Sequence, residues 1–162
     1  MFWAVVVSVC AMLVAGCGGD AQDVTDELTT ARTLVEVLGL ADSTGPEVVE
    51  SKDVSYVTAT GQIRGSQGAV AREVRQRLLR HGWTVGAVMA IDVSGSPATQ
   101  GKRLIAANRC VVTQLSVFDR LGTTRAAEDH QFVQVSVAKP TGRLQWTQST
   151  EAAMPAAEDA CT

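Results

Sequence analysis

Between Ser66 and Ala138 the spacing of apolar residues changes from the period of a helix to the period of a strand, and this change narrows the possible folds more than any other feature. Val70, Ala71, Val74 and Leu78 form one stripe at intervals of three and four, and Ser66 is placed to cap the start. Gly82 suits a left-handed stop, with Trp83 able to pack back on the last turn. The spacing predicts a helix from Ser66 to His81. After Trp83 the period is two: Val85, Ala87, Met89, Ile91 and Val93 share one side, and Gly86, Val88, Ala90 and Asp92 the other. This reads as a single strand.

The same reading extends in both directions. Leu28, Ala31, Leu34, Val35 and Leu38 recur at helical spacing, with Asp26 and Glu27 near the start and Gly39 at the end, so a helix is expected over 25–38. Ala41 to Lys52, with the turn residues Ser43, Thr44, Gly45 and Pro46, is expected to be a connector. Asp53 to Arg64 is a strand in which Val54, Tyr56 and Thr58 alternate with Val57, Ala59 and Ile63. Ser94 to Lys102 reads as a loop, Arg103 to Phe118 as one long or bulged strand, and Asp119 to Asp129 as a turn region. His130 to Ala138 is a strand ended by Pro140, and Leu144 and Trp146 form an added edge or dock on the core.

Helix, strand, helix and then three strands through short turns imply an α+β two-layer sandwich, with a mostly antiparallel sheet of about four strands and one or two helices on it. The helix from Ser66 to His81 is expected to cover Met89, Ile91, Val111, Leu115, Val133 and Val135. The opposite face would carry Val88, Val112, Phe118 and Phe132, an apolar area that serves as a partner surface or is covered by the first helix, Asp26 to Leu38.

Met1 to Gly19 holds 19 uncharged residues and contains, near its end, the run Leu13-Val14-Ala15-Gly16-Cys17. A branched residue at Val14, small residues at Ala15 and Gly16, and then a cysteine resemble the lipobox of bacterial lipoproteins. The resemblance implies cleavage of residues 1–16, diacylglyceryl transfer to the Cys17 thiol, and a lipid anchor in the outer leaflet of the cell membrane. Two acyl chains hold a protein stably where one holds it marginally. An uncleaved membrane anchor and an ordinary secretory signal are the other readings of this stretch. All three place the domain outside the cytoplasm. No Lys or Arg precedes Arg32, so the usual positive start of a signal peptide is missing, as it would be if the start codon were assigned too far downstream. Arg outnumbers Lys 11 to 3, and Leu79, Gly82 and Trp83 precede a meander carrying Arg109 and Cys110. In these respects the chain is similar to small actinobacterial lipoproteins of unassigned function.

On that reading the chain divides into a signal peptide (1–16), a lipidated tether (17–25), an α+β domain (26–146) and a C-terminal tail (147–162). With 14 basic and 17 acidic residues the net charge is -3, which suggests no nucleic-acid partner. Arg72, Arg75, Arg77 and Arg80 are read as a solvated helix face with charge favourably near the carboxyl end. No nucleophile elbow, paired-histidine metalloprotease helix, phosphate loop or dinucleotide fingerprint occurs, and no cofactor or metal is implied. Gly61, Gly65 and Gly68 are read as a strand-to-helix turn, His81 as a helix terminus, and Asp92 and Asp119 as solvated strand-end carboxylates.

Two functions remain open. One is a non-enzymatic binding or accessory lipoprotein that meets an envelope protein or a small ligand through a sheet face or through the loops at 94–102 and 119–129. The other is a small hydrolase or metal-dependent enzyme, with His130 and Asp129 as general acid and base.

Cys10 falls in the discarded segment and Cys17 is the lipid site, which leaves Cys110 and Cys161. Outside the cytoplasm two such thiols are read first as a disulfide, with two free thiols as the alternative. The bond would close a loop of about 50 residues and contribute about 4 kcal/mol on the chain-entropy model. Peptide mapping of unreduced exported protein is expected to return Cys110 and Cys161 in one cross-linked fragment, and two separately alkylated cysteines would refute the pairing.

Overall fold

The computed structural model describes residues 24–50, 55–93, 99–108 and 111–139. Their order is α1 (Thr25–Leu38), β1 (Ala41–Glu50), β2 (Ser55–Arg64), α2 (Gln67–Arg80), β3 (Thr84–Val85), β4 (Met89–Val93), β5 (Thr99–Asn108), β6 (Val111–Phe118), β7 (Arg120–Leu121), β8 (Thr124–Arg125) and β9 (His130–Ala138). The result is an α+β fold with two helices on an antiparallel sheet. That sheet has seven strands rather than about four, ordered β1-β2-β9-β6-β5-β3 with β4 also on β5, and β7 and β8 form a separate two-stranded hairpin.

Each helix ends where its sequence says it should. Gly39 takes the left-handed conformation at φ 58°, and the amides of Gly39 and Leu40 return to the carbonyls of Glu36 and Val35. After α2, Gly82 lies at φ 77° and Trp83 turns back to bond the Leu78 carbonyl, burying its indole beside the last turn. Both helices lay their apolar stripes on one sheet face. Ala31, Leu34 and Leu38 of α1 and Val70, Val74 and Leu78 of α2 form one core with Val57, Leu104, Leu115, Val133, Val135 and Val137. The first helix therefore does not cross to the opposite face.

Three expectations are corrected. The supposed connector, Ala41 to Lys52, is strand β1 as far as Glu50, paired with β2 through two register shifts. Asp42 and Gly45 take positive φ and the Gly45–Pro46 peptide is cis. Turn residues are tolerated here because β1 is an edge strand, where bulges and an imino nitrogen break no ladder on the far side. The chain can enter that edge only because Gly61 of β2 lacks a side chain: a Cβ there would lie 2.6 Å from that of Leu40.

The second correction concerns Met89 and Ile91. Val85 lies opposite Ala106 but Met89 lies opposite Arg103, so the edge strand carries one residue more than β5 over this stretch. That extra residue is a bulge between Gly86 and Val88. A one-residue slip moves every following side chain to the other face. Val88 consequently packs against the helix-side core, while Met89 and Ile91 pass to the opposite face. The third correction divides Arg103 to Phe118 into β5 and β6, which run from Asn108 opposite Val111 to Gly101 opposite Phe118. The expected loop Ser94 to Lys102 is strand β5 from Thr99 onward, while residues 94–98, the expected strand residues Asp53 and Val54, and the docking of Leu144 and Trp146 lie outside the described residues.

One core position is chemically out of place. Glu27 in the first turn of α1 is 0 % exposed, and neither carboxylate oxygen has a hydrogen-bond partner among the described residues. An unpartnered buried polar group costs about 1–3 kcal/mol, and more when charged. Methionine matches the length of glutamate without that cost. Glu27→Met is therefore expected to raise the midpoint of urea denaturation by an amount equivalent to about 1–2 kcal/mol; a lowered midpoint would show that the carboxylate stabilises the fold.

Candidate functional site

The only sequence-predicted acid–base pair sits where β9 begins. Asp129 takes φ 57°, and its carbonyl accepts the Gly65 amide at 2.6 Å, which joins this turn to the entry of α2. The Ala127 amide donates to Gln62 Oε1 at 2.8 Å and fastens the same turn to β2. Within this frame the two side chains take separate partners. The Asp129 carboxylate lies 3.9 Å from Arg64 Nη2, an exposed ion pair, whereas His130 Nδ1 lies 2.6 Å from the Glu128 carbonyl. A carbonyl only accepts, so Nδ1 is the donor in this contact. The geometry orients the imidazole by backbone rather than by a carboxylate. Among the described residues no group of three His, Cys, Asp or Glu side chains is placed to hold a metal ion.

His81 lies at the end of α2 as expected, with Nδ1 2.8 Å from the Arg77 carbonyl. Gly65, at φ 138°, turns the chain from β2 into α2, and Asp92 and Asp119 are exposed near strand ends. The arginine cluster is not one uniform solvated face. Arg77 donates through Nη1 to the Leu38 carbonyl at the end of α1 and through Nη2 to Glu73 one turn back. Arg75 Nε donates to the Gly86 carbonyl at 3.4 Å, at the start of the bulge. Arg72 and Arg80 are exposed. Arg77 thus supplies α1 with the terminal cation that its own sequence lacks, since no basic residue lies in its last turn. Nothing in the spacing of the arginines distinguishes Arg77 as the one that reaches another helix.

The proposed partner surface is partly reassembled. Val112, Phe118 and Phe132 share the face away from the helices, but they are only 0 %, 5 % and 9 % exposed, and Val88 is on the other side. The Phe118 and Phe132 rings stand opposite each other, tilted, with centroids 6.3 Å apart. This face is not uniformly apolar. Pairing sets Thr60, Gln134, Ser116 and Arg103 in one row across four strands, and Thr58, Ser136 and Gln114 in the next. Arg103 Nε and Gln114 Oε1 are inaccessible to water and have no partner among the described residues. The polar members were visible in the sequence as alternating residues of single strands, but a row across strands exists only once register is set. Cys17, Cys110 and Cys161 lie outside the described residues.

No protein-family model, curated protein or solved structure matches this chain. Its function has to be read from the arrangement of its own side chains. Arg77→Ala removes charge-assisted bonds that link α2 to α1 and is expected to cost about 1.5–3 kcal/mol. Arg72→Ala and His130→Ala are expected to stay within about 0.5 kcal/mol. Urea titration of the three variants decides this, and an Arg77 variant no weaker than the Arg72 variant would refute the helix link.

Proposed function

We propose that this protein is a membrane-anchored extracytoplasmic lipoprotein that acts as a non-enzymatic binding or accessory module of the cell envelope. The observation that carries this reading is the run Leu13 to Cys17 at the end of an uncharged stretch. The short distance from Cys17 to the folded domain supports it. Seven residues, 18–24, separate Cys17 from α1, and even fully extended they reach only about 25 Å. The folded domain would stay close to the bilayer. Among the described residues no helix is long and apolar enough to cross a membrane.

The contact surface assigned here is the segment 119–129. The face of Val112, Phe118 and Phe132 is closed to water, whereas this segment projects and is almost wholly exposed. It is also well held: β7 pairs with β8, the Ala126 amide bonds the Asp119 carbonyl at 2.9 Å, and Ala127 is tied to β2. Binding loops work best on such rigid supports. Leu121, 40 % exposed at the hairpin, is a natural apolar contact.

The test is a pull-down of the lipidated protein from its own envelope, run beside Cys17→Ala and Leu121→Asp. Cys17→Ala is expected to block both acylation and cleavage, and Leu121→Asp to keep membrane association while losing the captured partner. An intact mass showing an unmodified, secreted form of the native chain would overturn the anchor, and capture unaffected by Leu121→Asp would overturn the assigned surface.

A further inference from the structure

We infer that the outward face of α2, made of Arg72, Gln76, Leu79 and Arg80, docks on the anionic phospholipid surface of the bilayer that carries the anchor. The docking depends on the lipid anchor proposed above and adds the surface that the domain turns toward the membrane. Val70, Ala71, Val74 and Leu78 form the buried stripe of α2. At about 3.6 residues per turn, Arg72, Gln76, Leu79 and Arg80 fall together on the opposite side, and all four are exposed. They span about 12 Å along the helix axis.

Charge on this face is concentrated and unspent. The whole chain has 14 basic and 17 acidic residues, yet the 14 residues of α2 hold four arginines against one glutamate. Two of the four work inside the domain: Arg77 holds Glu73 and the Leu38 carbonyl, and Arg75 the Gly86 carbonyl. Arg72 and Arg80 make no hydrogen bond or ion pair among the described residues, and the one acid of the helix is already engaged. Leu79, on the same face, is 44 % exposed. A lone exposed leucine is ordinary. Beside two unpaired guanidinium groups it completes the pattern of a helix that lies on a membrane surface, with cations for the phosphates and an apolar side chain for the acyl boundary. The planar fork of each arginine suits a phosphate because it offers two N–H donors at once. On α1, Arg32 is offset by the exposed Asp26 and Glu36, so the attraction centres on α2.

Attachment geometry makes the bilayer the occupant. Both helices pack on the same sheet face, and Cys17 precedes α1 by only seven residues. The anchor is therefore joined to the helix layer itself, within a reach of about 25 Å. Tethering turns a second contact with the same bilayer into an intramolecular event at an effective concentration on the order of millimolar, so a weak attraction suffices. Each arginine near an anionic leaflet strengthens binding about fivefold, and Arg72 and Arg80 together about 25-fold.

The test places a reporter on this face. Leu79→Trp protein is purified from its own envelope, its intact mass is recorded, and it is reconstituted into vesicles whose acyl chains are brominated. Subtracting the quenching of the native chain isolates the introduced indole. In vesicles of phosphatidylglycerol and phosphatidylcholine that indole should be quenched several-fold more than in phosphatidylcholine alone, and high salt should remove the difference. Arg72→Glu together with Arg80→Glu should abolish it. Arg120→Glu together with Arg125→Glu, the same change of net charge on the 119–129 hairpin, should leave it unchanged. Equal quenching in the two kinds of vesicle, or quenching indifferent to the charge reversal on α2, overturns the docking face. A face that is not quenched but loses a captured protein on that reversal is a protein interface, which also overturns it. A mass without acyl chains refutes the anchor alone, and quenching of that form by the same vesicles still decides the docking face.

Discussion

Everything in this molecule rests on the contact between the valine-rich side of β9 and β6 and the stripes of the two helices. Val133, Val135 and Val137 alternate along β9, Leu115 and Val117 continue the surface on β6, and all are fully buried. Burial of an aliphatic side chain of this size contributes about 1.5–3 kcal/mol, so this layer is the main driving force for folding. It also sets register. If β9 slipped by one residue against β6, the valines would exchange places with Gln134 and Ser136, and the helices would lose their footing.

Once that layer is set, two side chains fasten its margins. Arg77 links the end of α1 to the last turn of α2, and Arg75 links α2 to the carbonyl of Gly86. An arginine suits both tasks because its planar fork reaches several carbonyl or carboxylate oxygens at once. The bulge after Gly86 shifts Met89 and Ile91 away from the helices. The open face thereby gains two apolar residues at one edge, while the core keeps Val85 and Val88.

The open face combines what a binding surface and an internal interface have in common: apolar ends and a polar middle. Phe118 and Phe132 lie at one end, Ala107 and Val112 at the other, and Thr58, Thr60, Ser116 and Gln134 between them. Near-complete burial at both ends leaves little of this face available to a partner. That leaves the exposed 119–129 segment as the surface proposed to meet a partner. His130, next to that segment, is held by the Glu128 carbonyl and contributes to the turn.

Local periodicity in the sequence determined much of this outcome. Both helices begin and end within a residue or two of where their stripes and glycines place them, and β2, β6 and β9 carry the alternation that assigns Val57, Leu115 and Val135 to the core. These features depend on nearest neighbours and on which residues avoid water, and both are written along the chain. The tertiary structure decided the rest. β1 is a strand because the edge of β2 offers unpaired backbone groups, although its own residues favour turns. The bulge at Gly86 to Val88 is defined only against β5, and so is the face on which Met89 lies. Asp129 turns to Arg64 and His130 to a carbonyl because those groups arrive from β2 and from the turn itself. Pairing, bulges and hydrogen-bond partners join residues distant in the chain, and no local period records which distant residue will be opposite.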